Sequence, residues 1–450
     1  MAKSEPQTKE LQLAIIHKHT AAIDVGSMLM MVAYSDATGQ QCLLETNGFT
    51  ESLHQLAHTL QSAGVTHVAM EATGVYWMSV YEVLEQKGLQ VTLINPRHFK
   101  NVAAQKTDVK DCQWIQQLHA HGLLRASHIA AEVYRELKNY LHERNVLQRQ
   151  KSDTLNRIHR LLTLMNIKVQ HLISDMEGAS GMKLLRAIAA GIREPEELLA
   201  LINTSRLKAS REDLLKSLRG MYKEQNVIIL RHTLETYDFL KKQMHSYEQM
   251  IETVLIKMLP SDERGDKPVI EKKKIQARKN QYSINLKSYL AHVTGVDLTK
   301  VDGLEESSIL EIISVTGLDM CKWRTSAHFT SWLNLSPRPK ISGGKVLGHQ
   351  KRCTNNRATQ AFRLAAQTMW KNKGTLGNLY RRLAAQKGSQ KAIKALARKL
   401  AVIFYNMIKN KSEYDHSRLQ ISLEKQAARK ITYLQKEALK YGYIMQTATV

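Results

Sequence analysis

The sequence has few cysteines, few aromatic residues and no long apolar run. Its 4 cysteines lie far apart and form neither a Cys-x-x-Cys pair nor a Cys/His cluster, which argues against a zinc module and a secreted disulfide framework. We therefore expect a protein of a reducing compartment. The N-terminal segment is polar and no run of about eighteen apolar residues occurs, so we expect neither a signal peptide nor a transmembrane helix.

Acidic residues are absent from one long segment of the chain. Residues 320–412 contain 20 Lys+Arg and no Asp or Glu, and the 450 residues together have a formal net charge of +24. A solvated helical surface usually mixes both signs, so this segment predicts a surface that binds a polyanion, with nucleic acid as the first candidate. Residues 1–130, with 9 Lys+Arg and 11 Asp+Glu, are not the main polyanion-binding region.

Hydrophobic patterning predicts regions of different structural class. Short apolar strands and amphipathic helices alternate up to about residue 130 and begin with a hairpin at Gly26-Ser27, which predicts an α/β domain with a mixed sheet. Long charged helices follow. Apolar residues in one of them are spaced by steps of four and three, the heptad seam of an antiparallel helical hairpin or coiled coil. This seam comprises Leu240, Met244, Tyr247, Ile251, Val254 and Met258.

These patterns divide the chain into five predicted regions. They are the α/β domain (1–130), the helical hairpin with a capping lobe (131–259), a basic linker (260–296), a mainly α-helical domain (297–411) and a C-terminal helix and tail (412–450).

Four acids in the predicted α/β domain are candidate metal ligands. Asp24 lies within an apolar strand, Glu71 ends another, and Asp108 and Asp111 are three residues apart at the start of a helix. Four converging carboxylates would hold one or two Mg²⁺ ions, which prefer oxygen ligands and can clamp a phosphodiester. Spacing alone leaves another reading open, with Asp108 a helix cap, Asp111 a first-turn acid and Glu71 a paired surface acid.

A second constellation lies within the acid-free segment. Two glycines follow Ser342, and Gly343 and Gly344 would let the backbone approach a phosphate that Lys340 and Lys345 neutralise. The serine hydroxyl is then a candidate nucleophile. An ordinary glycine-rich turn explains the same residues, and both readings stay open at this point. Two further basic residues are predicted to bind nucleic acid, Lys351 and Arg352.

In this order the two constellations resemble the DEDD transposases of the IS110 insertion-sequence family, which includes the bridge-RNA-guided recombinases. The resemblance lies in AAIDVGS around Asp24, MEATGVYW around Glu71, KTDVKD over Asp108 and Asp111, and LSPRPKISGGK over Ser342. It implies an N-terminal RuvC-like domain of RNase H fold whose four acids bind metal. It also implies a C-terminal transposase domain whose serine attaches covalently to DNA. The stretch after the serine departs from the family pattern, which leaves roles for Asn355 and Asn356 open.

The resemblance implies a cytoplasmic, nucleoid-associated prokaryotic recombinase that moves an insertion sequence, acting as a dimer or tetramer on donor and target DNA. A bridge-type guide RNA from the element would select both DNAs, and no membrane is involved. Three alternatives remain at this stage. A metal-dependent Holliday-junction endonuclease needs the acids alone, and a non-catalytic DNA- or RNA-binding protein needs only the basic surface. An actin-like kinase shares the strand, Asp and Gly turn, but no convincing second phosphate loop follows.

Overall fold

The structure of the protein is a computed structural model. It describes residues 14–72, 74–95, 108–260, 280–337, 339–349, 356–415, 417, 428 and 431–444. The chain divides into two compact units, Met1–Ile129 and Ala130–Val450. Within the described ranges, no helix has the length and apolar character needed to cross a membrane.

The first unit is built on a mixed sheet. Its described elements are β1 (Thr20–Val25), β2 (Leu29–Ser35), β3 (Gln41–Asn47), α1 (Thr50–Ser62), β4 (His67–Glu71), α2 (Trp77–Gln86), β5 (Gln90–Ile94) and α3 (Asp108–Ala120). The strand order is β3-β2-β1-β4-β5, with β1, β2 and β3 antiparallel in turn and β4 and β5 parallel to β1. The predicted α/β domain with a mixed sheet is confirmed.

Helices cover both faces of this sheet. Side chains of successive strand residues point to opposite faces, so one strand can contribute to two cores. Ile23 and Met70 belong to a core that includes apolar residues of α1 and α2. On the other face the small residues Ala22, Ala33 and Ala69 lie against α3. The central strands β1 and β4 are therefore apolar on both faces, which explains why they read as nearly continuous apolar runs.

The second unit is mainly helical. Its helices are α4 (Glu132–Leu164), α5 (Ala179–Ala189), α6 (Pro195–Ala200), α7 (Arg211–Leu218), α8 (Glu224–Lys257), α9 (Leu286–Thr294), α10 (Glu306–Thr316), α11 (Ser326–Trp332), α12 (Arg357–Thr368), α13 (Thr375–Lys387) and α14 (Ser389–Asn410). A hairpin of β6 (Pro339–Ser342) and β7 (Lys345–His349) lies between α11 and α12. Residues 431–440 are helical and mostly exposed.

The long helices α4 and α8 pack against each other in opposite directions. Glu136 near the start of α4 pairs with Lys257 at the end of α8 over 3.2 Å. Further along α4, Arg144 pairs with Glu248 over 2.7 Å. The C-terminal half of α4 and the N-terminal half of α8 form one apolar core with α5, α6 and α7. The N-terminal half of α4 and the C-terminal half of α8 belong to a second core, which they share with α9 to α14.

The prediction of a linker over residues 260–296 is wrong for residues 286–294, which form α9. Leu286, Tyr289 and Leu290 are buried in the core shared with α4 and α8. Their spacing of three and four residues is helical, but intervening polar residues and the basic run at 271–274 obscure it in the sequence. The basic run itself lies outside the described residues.

Candidate active site

Two of the predicted acids end neighbouring strands. Ile23 pairs with Met70 in the parallel ladder of β1 and β4, and Asp24 and Glu71 are the next residue on each strand. Neighbouring strands lie about 4.8 Å apart, so these carboxylates leave the sheet side by side at one edge. Both side chains are half-buried. Asp24 is two residues after Ala22 and Glu71 is two residues after Ala69, so both lie on the face of the sheet that α3 covers.

The helix α3 is held on this face by polar contacts along β1. Gln116 Nε2 donates to Thr20 Oγ1 over 3.3 Å and to Ser35 Oγ over 2.7 Å. One turn earlier, Cys112 Sγ donates to the carbonyl oxygen of Ala22 over 3.2 Å. Moving back along α3 therefore means moving forward along β1, and the first turn of α3 lies toward the Asp24 end of that strand.

The pKa of the Cys112 thiol is affected by the nearby carboxylate of Asp24. This pKa is raised to about 11, mainly by burial and to a smaller extent by the negative charge of Asp24. A thiol with this pKa remains protonated at neutral pH and serves as a small buried donor rather than a nucleophile. Cys112 thus belongs to the support of the candidate site and not to its chemistry.

The other two acids lie at the start of α3. Asp108 is the first residue of α3, and its side chain lies outside the described residues; Asp111 is half-buried and directly precedes Cys112. Among the side chains that the structure does describe, no three acids, histidines or cysteines are grouped closely enough to hold a metal ion. The structure thus brings Asp24 and Glu71 side by side without adding Asp111 to them as a third ligand, and a metal site at all four acids stays a prediction.

Ser342 lies at the tip of the β6–β7 hairpin. It pairs with Lys345, and the two residues between them have φ angles of +54° at Gly343 and +76° at Gly344. Two positive φ angles define the tight hairpin turn that glycine adopts without strain. Nothing lies within 4 Å of a Cβ built at either glycine, so backbone conformation rather than packing requires them. The serine is consequently exposed on a turn of defined shape.

The structure describes only some of the residues that were predicted to bind phosphate. Lys340 and Lys345 are exposed on the two strands of the hairpin. Lys351, Arg352 and Asn355 lie outside the described residues. Asn356 caps α12, because its side-chain oxygen accepts from the backbone N–H groups of Ala358 over 2.9 Å and Thr359 over 3.4 Å. Its observed contacts are those of a helix cap.

The acid-free segment extends the basic surface beyond the hairpin. It supplies α11 to α14, on which many lysines and arginines are exposed, including Arg382, Lys387 and Lys391. Trp370 is 56% exposed, and the Lys371 ammonium lies 4.7 Å from the centre of its ring. An exposed aromatic face beside a cation is a combination that nucleic-acid-binding surfaces use.

The sequence analysis missed the two strands that present Ser342. Every described residue of β6 is exposed, so no alternation of buried and exposed positions marks the strand. The available signal was Gly343-Gly344 with Ile341 before it and Val346 and Leu347 after it, since a two-residue glycine turn favours a hairpin. Gln116 was also missed, because a lone glutamine on a helix carries no recognisable pattern.

Comparison with protein families matches both parts of this arrangement. The family model of the DEDD transposases of IS110 matches residues 21–167, which contain all four acids. The model of the transposase IS116/IS110/IS902 family matches residues 297–381, which contain Ser342. Together the two segments span just over half of the chain, and no curated protein sequence matches it. The chain belongs to the IS110 family of transposases, as the motif resemblance predicted.

Membership defines the general activity. Transposases cleave DNA and transfer its strands, and nuclease domains of the DEDD type generally use a divalent metal ion. The mixed sheet with helices on both faces fits an RNase H-like domain of this type. Half-buried carboxylates such as Asp24 and Glu71 are the donors that a hard divalent cation prefers, so their chemistry fits that ion.

Proposed function

We propose that this transposase is a site-specific recombinase that uses Mg²⁺ at an acidic tetrad and Ser342 as its nucleophile. The observation that carries the proposal is the geometry of the hairpin, which exposes a serine on a tight glycine turn flanked by lysines. A serine that served only as a loop cap would need no such presentation. The acid-bearing edge of the RuvC-like domain supplies the second half of the chemistry.

The metal half of the proposal rests on Asp24, Glu71 and the start of α3. Asp24 and Glu71 are adjacent on one face of the sheet, and α3 begins toward the same end of β1. Asp108 and Asp111 are then the ligands expected from α3. The four carboxylates would hold a pair of Mg²⁺ ions, and these ions would supply the positive charge that neutralises the scissile phosphate.

The serine half involves one bond exchange. The Oγ atom of Ser342 forms a bond to the phosphorus, the bond from phosphorus to a deoxyribose oxygen breaks, and the serine proton passes to that leaving oxygen. The DNA is then joined to the protein as a phosphoserine diester. Attack by the hydroxyl end of a second strand reverses the step, which exchanges strands without hydrolysis. Lys340 and Lys345, which are exposed on the two strands of the hairpin, would balance the phosphate charge.

The basic surface is proposed to hold DNA and a bridge-type guide RNA, so that base pairing selects donor and target. The 20 basic and zero acidic residues of 320–412 support this part of the proposal. Binding should weaken steeply with salt, with a log-log slope of about −0.9 for each duplex phosphate contacted. Sequencing the nucleic acid that co-purifies with the protein identifies the guide, and a flat salt response would contradict the assignment.

The Ser342→Ala variant tests the nucleophile. Wild-type protein incubated with Mg²⁺ and end-labelled donor DNA should yield a labelled protein band on a denaturing gel, and the variant should yield none. Ser336→Ala, on the same segment before the hairpin, is the matched control and should retain the adduct. A wild-type amount of adduct with Ser342→Ala would remove Ser342 from the mechanism.

The same experiment separates the two rival functions. A Holliday-junction endonuclease would keep Mg²⁺-dependent cleavage in Ser342→Ala and would form no adduct in either protein. A non-catalytic binding protein would cleave nothing at any Mg²⁺ concentration but would still show salt-sensitive binding.

We further propose that the acids and the serine come from different protomers of a dimer or tetramer. Co-expressed Asp24→Asn and Ser342→Ala chains test this arrangement. If sites are shared, a mixed dimer has one site with both defects and one with neither, so activity partly returns. If each site is built within one chain, every site keeps a defect and the mixture stays inactive, which would overturn this part of the proposal.

A further inference from the structure

Two helices of the second unit bring three basic side chains together. Lys138 and His142 are one turn apart on α4 and therefore share a face of that helix. Arg357 is the first residue of α12, and its guanidinium donates to Nδ1 of His142. We call Lys138, His142 and Arg357 the α4–α12 basic cluster.

The guanidinium of Arg357 is incompletely satisfied. Its Nη1 atom is buried and has no hydrogen-bond partner among the described residues. A guanidinium has five N–H donors, and each buried donor without a partner costs free energy. Arg357 as a whole is only half-buried, so part of its side chain remains open to an external acceptor.

The cluster also lacks a compensating acid. In the part of the chain that the structure describes, no carboxylate forms an ion pair with Lys138 or Arg357. Glu311 on the neighbouring helix α10 accepts from Asn145 Nδ2 over 2.5 Å instead. On α4 itself, Glu136 is paired with Lys257. Two cationic side chains therefore lie together, and no described carboxylate is paired with either of them.

The positive field of the cluster affects Lys138. Although this side chain as a whole is exposed, the surrounding protein lowers its pKa by desolvation, and the charge of Arg357 lowers it further. Like charges held together destabilise a fold unless an anion joins them. The asparagine cap on Ala358 and Thr359 leaves the Arg357 side chain, rather than the helix N–H groups, as the donor available to such an anion.

We propose that the α4–α12 basic cluster is a binding site for a phosphodiester group of the nucleic acid backbone, with Arg357 and Lys138 as its ligands. The site lies outside both the acid-bearing edge and the serine hairpin. A phosphate oxygen accepts from the guanidinium of Arg357, and the ammonium of Lys138 balances the second charge. The inference rests on the proposed nucleic-acid function, whose strand chemistry it does not require.

Binding of a short duplex DNA, and of an RNA duplex of the same sequence, tests the site by fluorescence anisotropy over a range of salt concentrations. Arg357→Gln should raise Kd by about tenfold, the loss of one charge-assisted contact. For DNA the salt slope should also fall by about 0.9 in magnitude. The matched control is Arg160→Gln, which removes an exposed charge near the other end of α4, outside the acid-free segment, and should leave Kd nearly unchanged.

The DNA and RNA arms identify the source of the phosphate. A loss confined to one duplex assigns the site to that nucleic acid, and a loss on both assigns it to the phosphodiester that they share. Equal effects of Arg357→Gln and Arg160→Gln would overturn the site and leave the proposed function standing. Wild-type protein that binds neither duplex at low salt would overturn both.

A measurement without nucleic acid distinguishes binding from a structural role. If Arg357 is a ligand, Arg357→Gln removes repulsion and should keep or raise the thermal unfolding midpoint. If Arg357 instead stabilises the packing of α12, the variant should lower that midpoint or fail to fold. Lys138→Gln, on the exposed face of α4, then decides the question, and a Kd unchanged from wild type would overturn the proposal.

Discussion

Arg144 and Glu248 form a buried ion pair that joins α4 to α8. The nitrogen–oxygen distance is 2.7 Å, and the two side chains are only 4% and 6% exposed. Glu248 also accepts from the backbone N–H and hydroxyl of Ser283, at 2.9 and 2.6 Å, and Arg144 lies 3.7 Å from the centre of the Tyr282 ring. The pair therefore ties the segment around Tyr282 to both long helices.

Removing one partner of this pair should destabilise the second unit strongly. Arg144→Met leaves the Glu248 charge buried and unpaired, and we expect a loss of about 3 to 5 kcal/mol in the free energy of unfolding. The double variant Arg144→Met/Glu248→Leu should recover most of that loss. Urea denaturation measures both values. The exposed pair Lys216 and Glu212 is the control, and Glu212→Gln should cost at most about 0.5 kcal/mol. Equal costs for single and double variants would contradict this account.

The stability of the first unit should depend on pH through a histidine cluster. The ring centres of His17 and His119 lie 5.3 Å apart, and those of His17 and His67 lie 4.5 Å apart. Burial lowers the pKa of His119 to about 4, with further contributions from His17 and His67. An unfolded chain titrates near pH 6.5, so it binds more protons than the native state between about pH 6.5 and 4, and stability falls as the pH falls.

We expect His119 to cost about 2 kcal/mol of stability on going from pH 7 to pH 5. Urea denaturation at the two pH values should show this difference in the wild type and a smaller one in His119→Leu. His54→Gln removes an exposed histidine of the same unit and should keep the wild-type dependence. An unchanged pH dependence in His119→Leu would show that other groups are responsible.

The metal proposal predicts a selective loss of activity in Asp24→Asn. The substitution keeps the size of the side chain and removes a charged ligand, so Mg²⁺-dependent cleavage should fall below detection while thermal stability and RNA binding stay near wild type. Glu51→Gln, an exposed acid in the first turn of α1, is the matched control and should cleave normally. Unchanged cleavage by Asp24→Asn would exclude it as a ligand.

The turn after Ser342 should tolerate asparagine and reject a β-branched residue. Gly343 has a φ of +54°, a conformation that asparagine adopts readily and valine does not. We expect Gly343→Asn to keep most of the covalent DNA adduct and Gly343→Val to lose about tenfold, in line with a strain of roughly 1 to 2 kcal/mol. Adduct yield on a denaturing gel measures both. Equal yields from the two variants would mean that the turn shape does not position the serine.

The sequence was sufficient to predict the strands that carry Asp24 and Glu71. Both lie in short apolar runs bounded by glycine, and their burial on two faces preserves that pattern. Which face the acids share could not be predicted, because it depends on the pairing of Ile23 with Met70 and on α3 packing over the alanines. Such contacts between distant segments leave no local signal.

The heptad seam on α8 shows a different limit of prediction. Leu240, Met244 and Ile251 are buried as predicted, whereas Tyr247 is half-buried and Glu248 beside it is buried. A heptad pattern assumes a single partner helix, but α8 also contacts α9 and the segment that carries Ser283. Position 248 is not part of the predicted seam, although Arg144 and Ser283 satisfy its charge in the interior.

The alanine layer beneath α3 has a consequence for how the enzyme can change. Ala22, Ala33 and Ala69 come from three different strands, and together they determine the distance at which α3 lies above the sheet. A larger side chain at any of these positions, even by one or two methylene groups, would push α3 away from the sheet. The first turn of α3, which carries Asp108 and Asp111, would move with it. Substitutions in this layer should therefore alter cleavage before they abolish folding, so that three residues with no chemistry of their own constrain the evolution of the sheet edge that carries Asp24 and Glu71.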